Sequence, residues 1–541
     1  MMQIVHDVAP GAALAFYTAE SSEADFAAGI GKLATAGARI IADDVGYFDE
    51  PFYQDGLVAQ AVDAAEAGGA AYFVAAGNDG NASYENTAPS FATLASSGPN
   101  AGEYLLNFDP SGATTTTALP ITLDAMAPGD FTAIILEWDQ PYVTGAPNSG
   151  GATSSLDLCV TGATGSFTIE DYDGNTVTCT GANATGVDPV QILIVANPAS
   201  ATAWTNQTTL NLVVGLANKT LAPGRVKVAV ETDGQTDPPI TTFATNSATI
   251  QGHAGASGAA TVAAAFYFST PACGTTPAAV ETYSSRGGSP ILFDVDGNRL
   301  ATQIVRQKPD FTGPDGGNDT FLGFTLASGG ITGSNGLLTT AVTQCQNDPN
   351  YPNFFGTSAA TPHAAGIAAL MLQANSSITP TQIYAALRST ALPMGTGAGY
   401  NLDSGFGFIQ APAALAAIPP GAPTLSASPI SVVTGSSVTL TWSSVNAASC
   451  AATGGWSGAQ ATSGSLSVTP SPVGSVTYGL ACTNAAGTSG VASTSVTVTA
   501  APAAAGGGGG GGGRSDPSLL LGLAALVSVR LFRAFRRQLS S

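Results

Sequence analysis

Short apolar runs alternate with helical stretches over residues 1–95, the alternation stops, and it resumes at about residue 250. Runs at 13–17, 38–43 and 71–75 predict strands, and stretches at 23–36 and 57–67 predict helices. Strands separated by helices of that length form βαβ units in a parallel sheet whose two faces the helices cover. The fold class that follows is α/β with a doubly wound parallel sheet. Between 96 and 249 the chain turns rich in Thr, Ser, Gly and Asn, with short alternating runs at 132–138, 191–195 and 210–214. That texture predicts an antiparallel β-sandwich, inserted into the α/β domain, whose second part is 250–418. Pro419, Pro420 and Pro423 mark a linker. Within 419–500, runs at 437–442, 465–469, 477–482 and 493–499, with a Trp beside a Cys pair, predict an Ig-like β-sandwich. Residues 501–541 read as a Gly-rich linker and a C-terminal segment.

Composition narrows the function. Only 9% of the 541 residues are charged and 44% are hydrophobic, with Gly 66 and Pro 33 spread along the chain. This suits a loop-rich, β-heavy exported protein and excludes a disordered one. Residues 1–513 carry a net charge of −25, and the chain holds four lysines in all, Lys32, Lys219, Lys227 and Lys308. No basic stripe can track a phosphate backbone, so nucleic-acid binding is excluded. The six cysteines fall into three local couples, Cys159 with Cys179, Cys273 with Cys345 and Cys450 with Cys482, none in a zinc spacing. Three disulfides formed in an oxidising compartment are expected. The turns DYDGN (171–175) and DVDGN (294–298) begin like calcium loops but lack the Glu at the twelfth position, and read as hairpin turns. No motif demands a cofactor, and calcium is the one ion the acidic turns could take.

The chemistry is concentrated in FGTSAATPHAAG, residues 355–366. Ser358 precedes an apolar run (Ile367, Leu370, Met371), and Pro362 is expected in the first helical turn, where a missing N–H costs nothing. A serine at a helix N-terminus has its own N–H and the positive end of the dipole aimed at any oxyanion formed on it. The segment resembles the nucleophile motif GTSxAxPHxAG of the subtilisin-like serine proteases, the subtilases. VAAGNDG (74–80) resembles that family's oxyanion-asparagine motif, YSSRG (283–287) its FSSxG, KPDFTGPDG (308–316) its KPDxxAPG, and DSGFGF (403–408) its closing glycine pair. The resemblance covers about 1–95 and 250–418. It implies a serine endopeptidase acting on polypeptides, with Ser358 as the acyl-forming nucleophile and the Asn78 amide and the Ser358 N–H as the oxyanion hole.

The resemblance also calls for a general base and an Asp that orients it. Both precede the block that IVHDVAPGA resembles, which puts the base just before Met1. The chain is therefore expected to be N-terminally truncated and, as given, inactive; MMQIVHDVAPG itself has no signal-peptide character. Of the three histidines, His6 falls too far along its helix, His363 is expected to be structural, and His253 is a minor candidate. In the related sedolisins a Glu replaces the His and an Asp replaces the oxyanion Asn; Asn78 favours the subtilase type, with the base left as His or Glu. Asp43 and Asp44 end the strand that in subtilases faces the substrate. They are candidate substrate-binding residues for basic side chains, or an Asp-rich turn.

Eight glycines (506–513), an apolar run (518–529) and terminal arginines resemble a sorting signal of Gram-negative surface proteins that an intramembrane protease removes. As a helix the run spans about 18 Å, short of the roughly 30 Å hydrocarbon core. The tail is expected to contact the membrane and a processing protease, and the protein to reach the cell surface or medium. The alternative is a non-catalytic surface protein whose β-sandwiches bind protein or glycan.

Overall fold

The computed structural model describes residues 1–502 except 20, 163–166, 199–206, 232–238, 327–344, 346, 349 and 396–398. Four strands make the central sheet, in the order Ile40–Asp43, Ala71–Ala75, Ala259–Phe266 and Phe311–Asp315, and every neighbouring pair is parallel. Successive side chains on one strand point to opposite faces, and here each face has its own core. Phe73, Val262 and Phe311 pack with Ala360, Ala364 and Met371 on one side. Tyr72, Val74 and Ile41 pack with Phe26, Ile30 and Val62 on the other. The first face is covered by helices α4 (Thr357–Ala374) and α5 (Pro380–Thr390), the second by α2 (Glu23–Thr35) and α3 (Leu57–Ala67). Helix α1 (Met2–Val8) lies on α4, where Val8 comes so close to Gly366 that a Cβ there would meet it at 2.8 Å.

One predicted strand is absent. Residues 13–17 join no ladder, and Leu14 and Phe16 are exposed. Apolar character alone does not make a strand without a neighbour to complete its hydrogen bonds. The other four predicted elements of this part form within a few residues of their predicted limits.

After Ala71–Ala75 the chain leaves the parallel sheet and builds two antiparallel sheets before returning at Ala259–Phe266. One has the order Ser83–Asn86, Val226–Glu231, Phe131–Trp138, Val190–Ala196, Thr168–Asp171; the second is organised around Thr208–Leu216. They enclose a single core that includes Tyr84, Phe108, Trp138 and Leu212. The loops at Asp171 and Asp294 are tight hairpin turns in which the carboxylate accepts N–H bonds from two and four residues ahead, at 2.8 to 3.1 Å. Residues 424–499 form a three-stranded and a six-stranded sheet around Trp442, Trp456 and Tyr478.

All three expected disulfides are present: Cys159–Cys179, Cys273–Cys345 and Cys450–Cys482. The last lies in the core of the C-terminal sheets and closes 32 residues of chain. Replacing Cys450 and Cys482 together by alanine is expected to lower the stability of those sheets by about 2–4 kcal/mol. Calorimetry of the full chain would resolve this as a downward shift of one transition, and unchanged transitions would contradict it. Among the described residues no helix is long and apolar enough to cross a membrane. The glycine run and the apolar tail lie outside the described residues.

Candidate active site

The start of α4 fixes the nucleophile. Gly356 is the N-cap with φ of +110°, a left-handed conformation that glycine adopts without a Cβ penalty. Thr357 and Ser358 fill the first turn, where backbone N–H groups have no intrahelical acceptor. The Ser358 N–H is thus one of the donors at the positive end of the helix. Because the helix opens at Thr357, Pro362 lies inside it, a turn further on than expected from the sequence. The missing Pro362 N–H leaves the Ser358 carbonyl without its usual donor four residues ahead.

Asn78 reaches this turn from the loop after Ala71–Ala75. Its Oδ1 accepts from the Thr357 N–H at 3.0 Å and from the Thr357 hydroxyl at 3.1 Å. Thr357 Oγ1 in turn accepts from the Gly77 N–H at 3.1 Å. A backbone N–H can only donate, so the amide orientation is fixed: oxygen on Thr357, NH2 turned away from it. The loop itself is held by the 283–287 segment. Ser285 Oγ accepts from the Asp79 N–H at 3.1 Å, Gly77 O accepts from the Ser285 N–H at 2.9 Å, and Tyr283 O accepts from the Gly80 N–H at 2.6 Å. Gly77 has φ of +98°, and a Cβ there would come within 2.8 Å of Ser285 Oγ.

Ser358 and Asn78 open onto a cleft of about 720 Å³ at the carboxyl ends of the parallel strands, where open α/β sheets bind ligands. Asp44 and Tyr47 form one wall, and Met126, Asp130 and Phe131 from the inserted sheets form another. Partial enclosure and the neighbouring Asp43 push the Asp44 carboxyl above its ordinary range, against the pull of the Met1 amino group and the Ser358 hydroxyl.

The two candidate substrate-binding aspartates have different surroundings. Asp44 is exposed in the cleft, whereas Asp43 is buried and accepts from His253 Nε2 at 3.1 Å. His253 Nδ1 donates to Glu50 at 2.8 Å, and the His253 N–H donates to the same carboxylate at 2.6 Å. Burial opposes a charge on this imidazole, but Glu50 and Asp43 outweigh it and hold the proton well above the ordinary histidine range. With both ring nitrogens occupied, His253 has none left for Ser358. His363 is buried on α4 with Nδ1 on the Ala359 carbonyl at 2.9 Å, and burial lowers its proton affinity. His6 is exposed on α1.

Sequence reasoning passed over Thr357, Glu50 and the inserted wall at 124–132. Thr357 was visible within GTS, but its task is readable only once Asn78 stands opposite. Among the described residues the only three-ligand group is Asp157 with Cys159 and Cys179, whose sulfurs are already bonded to each other.

A subtilase family model matches residues 296–408. Alkaline serine exoprotease A of Vibrio alginolyticus is 54% identical over 44 residues, which is 8% of this chain and 8% of that protein. The chain thus aligns with only a small part of that curated relative. Among solved structures, the CspB protease of Clostridium perfringens aligns over 73% of this chain and 70% of its own at 13% identity, with a TM-score of 0.40. The psychrophilic subtilisin-like protease Apa1 from Pseudoalteromonas sp. AS-11 is 38% identical over 13% of this chain and 16% of its own, with a TM-score of 0.12.

Proposed function

We propose that this chain, a member of the subtilase family through residues 296–408, is a serine endopeptidase that cleaves polypeptides through an acyl-enzyme on Ser358. The Ser358 hydroxyl adds to the scissile carbonyl, and the oxygen that becomes negative is met by the Ser358 N–H and the Asn78 NH2. As the C–N bond breaks the hydroxyl proton goes to the leaving nitrogen, the amine departs and the acyl-enzyme remains; water then cleaves the ester, releasing the acid and returning a proton to Ser358. One observation carries this reading: the Asn78 amide is held by Thr357 in a single orientation beside the helix start that bears Ser358. Asp44, exposed in the cleft, would receive a basic side chain of the substrate, while Asp43 is committed to His253.

None of the three histidines hydrogen-bonds Ser358 among the described contacts, so turnover of this chain is expected to be low. That same observation favours a second reading, a surface protein in which the 96–249 β-sandwich and the Ig-like 419–500 module bind protein or glycan. In either reading the protein is exported, and its C-terminal tail acts as a membrane-contacting sorting segment. Incubation with a fluorophosphonate followed by peptide mapping separates the two. Slow labelling confined to Ser358 and absent from Ser358→Ala supports the peptidase; a folded chain that never acquires the adduct leaves the binding protein.

A further inference from the structure

Among the places where this chain departs from the subtilase motifs, two carry a polar side chain that the motif lacks. The segment YSSRG carries a tyrosine where the pattern FSSxG has phenylalanine, and KPDFTGPDG carries Asp315 where KPDxxAPG has glycine. They lie 32 residues apart and meet in the fold, where the Tyr283 hydroxyl donates to Asp315 Oδ2. The same oxygen accepts from the Gly356 N–H at 2.9 Å, and that N–H also reaches the Tyr283 oxygen at 3.2 Å. Gly356 is the N-cap of α4, two residues before Ser358.

We propose that Tyr283 and Asp315 are paired positioning residues that clamp the Gly356 N–H and so hold the turn presenting Ser358. Neither alone completes the arrangement. A phenylalanine at 283 would leave Asp315 Oδ2 with one donor fewer, and a glycine at 315 would leave the Tyr283 hydroxyl and the Gly356 N–H without their shared acceptor. The carboxylate stands before the N-terminus of a helix, where negative charge is favoured. Asp315 is fully buried, its Oδ1 has no hydrogen-bond partner, and the residue is sealed under the helix start.

This burial makes the clamp sensitive to pH. Desolvation raises the Asp315 carboxyl to about 6, held down in part by the bonds from Tyr283 and Gly356. An opening that wets Asp315 returns it to the lower, ordinary carboxylate range, so the closed turn binds the proton more tightly than the open one; the turn is firm at low pH and loosens as pH rises towards about 6. The titratable neighbours facing Asp315 among the described residues are Tyr283, whose own proton burial holds firmly, and Glu281, which burial raises to about 7. The parallel strand Ala259–Phe266 beside it contributes the apolar Phe266 at the matching position.

The test has two readouts on the full chain. Amide hydrogen exchange of the peptide containing Gly356 and Thr357, corrected for the intrinsic pH dependence, is expected to show protection falling as pH rises, with a midpoint below the folded-state value of about 6 and a level course above it. Asp315→Asn keeps an acceptor oxygen but cannot ionise, and should abolish the step while retaining protection. Tyr283→Phe removes a bond that favours the charged form, so the midpoint should move up. Glu281→Gln should leave the step in place. An unchanged midpoint in Tyr283→Phe, or a persisting step in Asp315→Asn, overturns the clamp. The second readout, the fluorophosphonate labelling rate of Ser358, should follow the same step and lose it in Asp315→Asn. This part rests on the peptidase reading. Absent labelling with an intact exchange step would reject that reading and keep the clamp; labelling without the exchange step would do the reverse.

Discussion

Replacing Asn78 by alanine is expected to slow acylation of Ser358 by about 10² to 10³, the cost of losing one oxyanion donor. The size follows from how the amide is held. Two donors from Thr357 occupy Oδ1, so the NH2 group is set before any substrate arrives and needs no reorganisation when charge develops. Such a donor acts on the transition state and hardly on the ground state, so the loss should fall on the rate at saturation and leave KM within a few fold. Asn78→Asp is the sharper variant. It preserves the oxygen that Thr357 contacts but places an anion where a donor stood, and should be at least as damaging as alanine. A phosphonylation rate within threefold of the parent in both variants would remove Asn78 from the oxyanion hole.

The contrast between what was readable and what was not follows from sequence distance. Ser358, its glycine and its helix lie in one continuous segment, and Asn78 lies in another, so each carries its own pattern. The first two parallel strands, Ile40–Asp43 and Ala71–Ala75, were visible because apolar runs alternated with helical stretches there. Only 13–17 failed, where the run has no partner strand. Pro362 was misplaced because local preference locates proline near a helix start without fixing which residue begins the helix. The Thr357 clamp on Asn78 joins residues 279 apart, and the Glu50–His253 contact joins residues 203 apart. No spacing rule reaches such pairs. His253 stood as a minor candidate base because its two carboxylate partners come from other parts of the chain, and Asp43 looked open to substrate for the same reason. The wall that the inserted sheets give to the cleft was equally hidden, since it depends on how the insertion folds back over the strand ends.

His253→Ala is expected to destabilise the parallel-sheet domain by about 3–5 kcal/mol, as when one partner is removed from a buried ion pair. The imidazole is 2% exposed, and Asp43 and Glu50 are buried beside it. Without the cation, two carboxylates are left close together away from water, and Glu50 retains only N–H donors. The pH dependence gives the signature that simple loss of packing would not. In the parent protein the folded His253 holds its proton well above the ordinary value of 6.5. A raised folded pKa contributes stability that is complete below the unfolded pKa and is lost as pH climbs towards the folded one. Parent stability should therefore contain a component that declines as pH rises above about 6.5, and this component should be missing in His253→Ala. Calorimetric or urea unfolding from pH 5 to 8 measures both. A loss smaller than about 1 kcal/mol, or an identical decline in the two proteins, would mean that the buried imidazolium does not hold the strand end at Asp43 to the segment that returns from the inserted sheets.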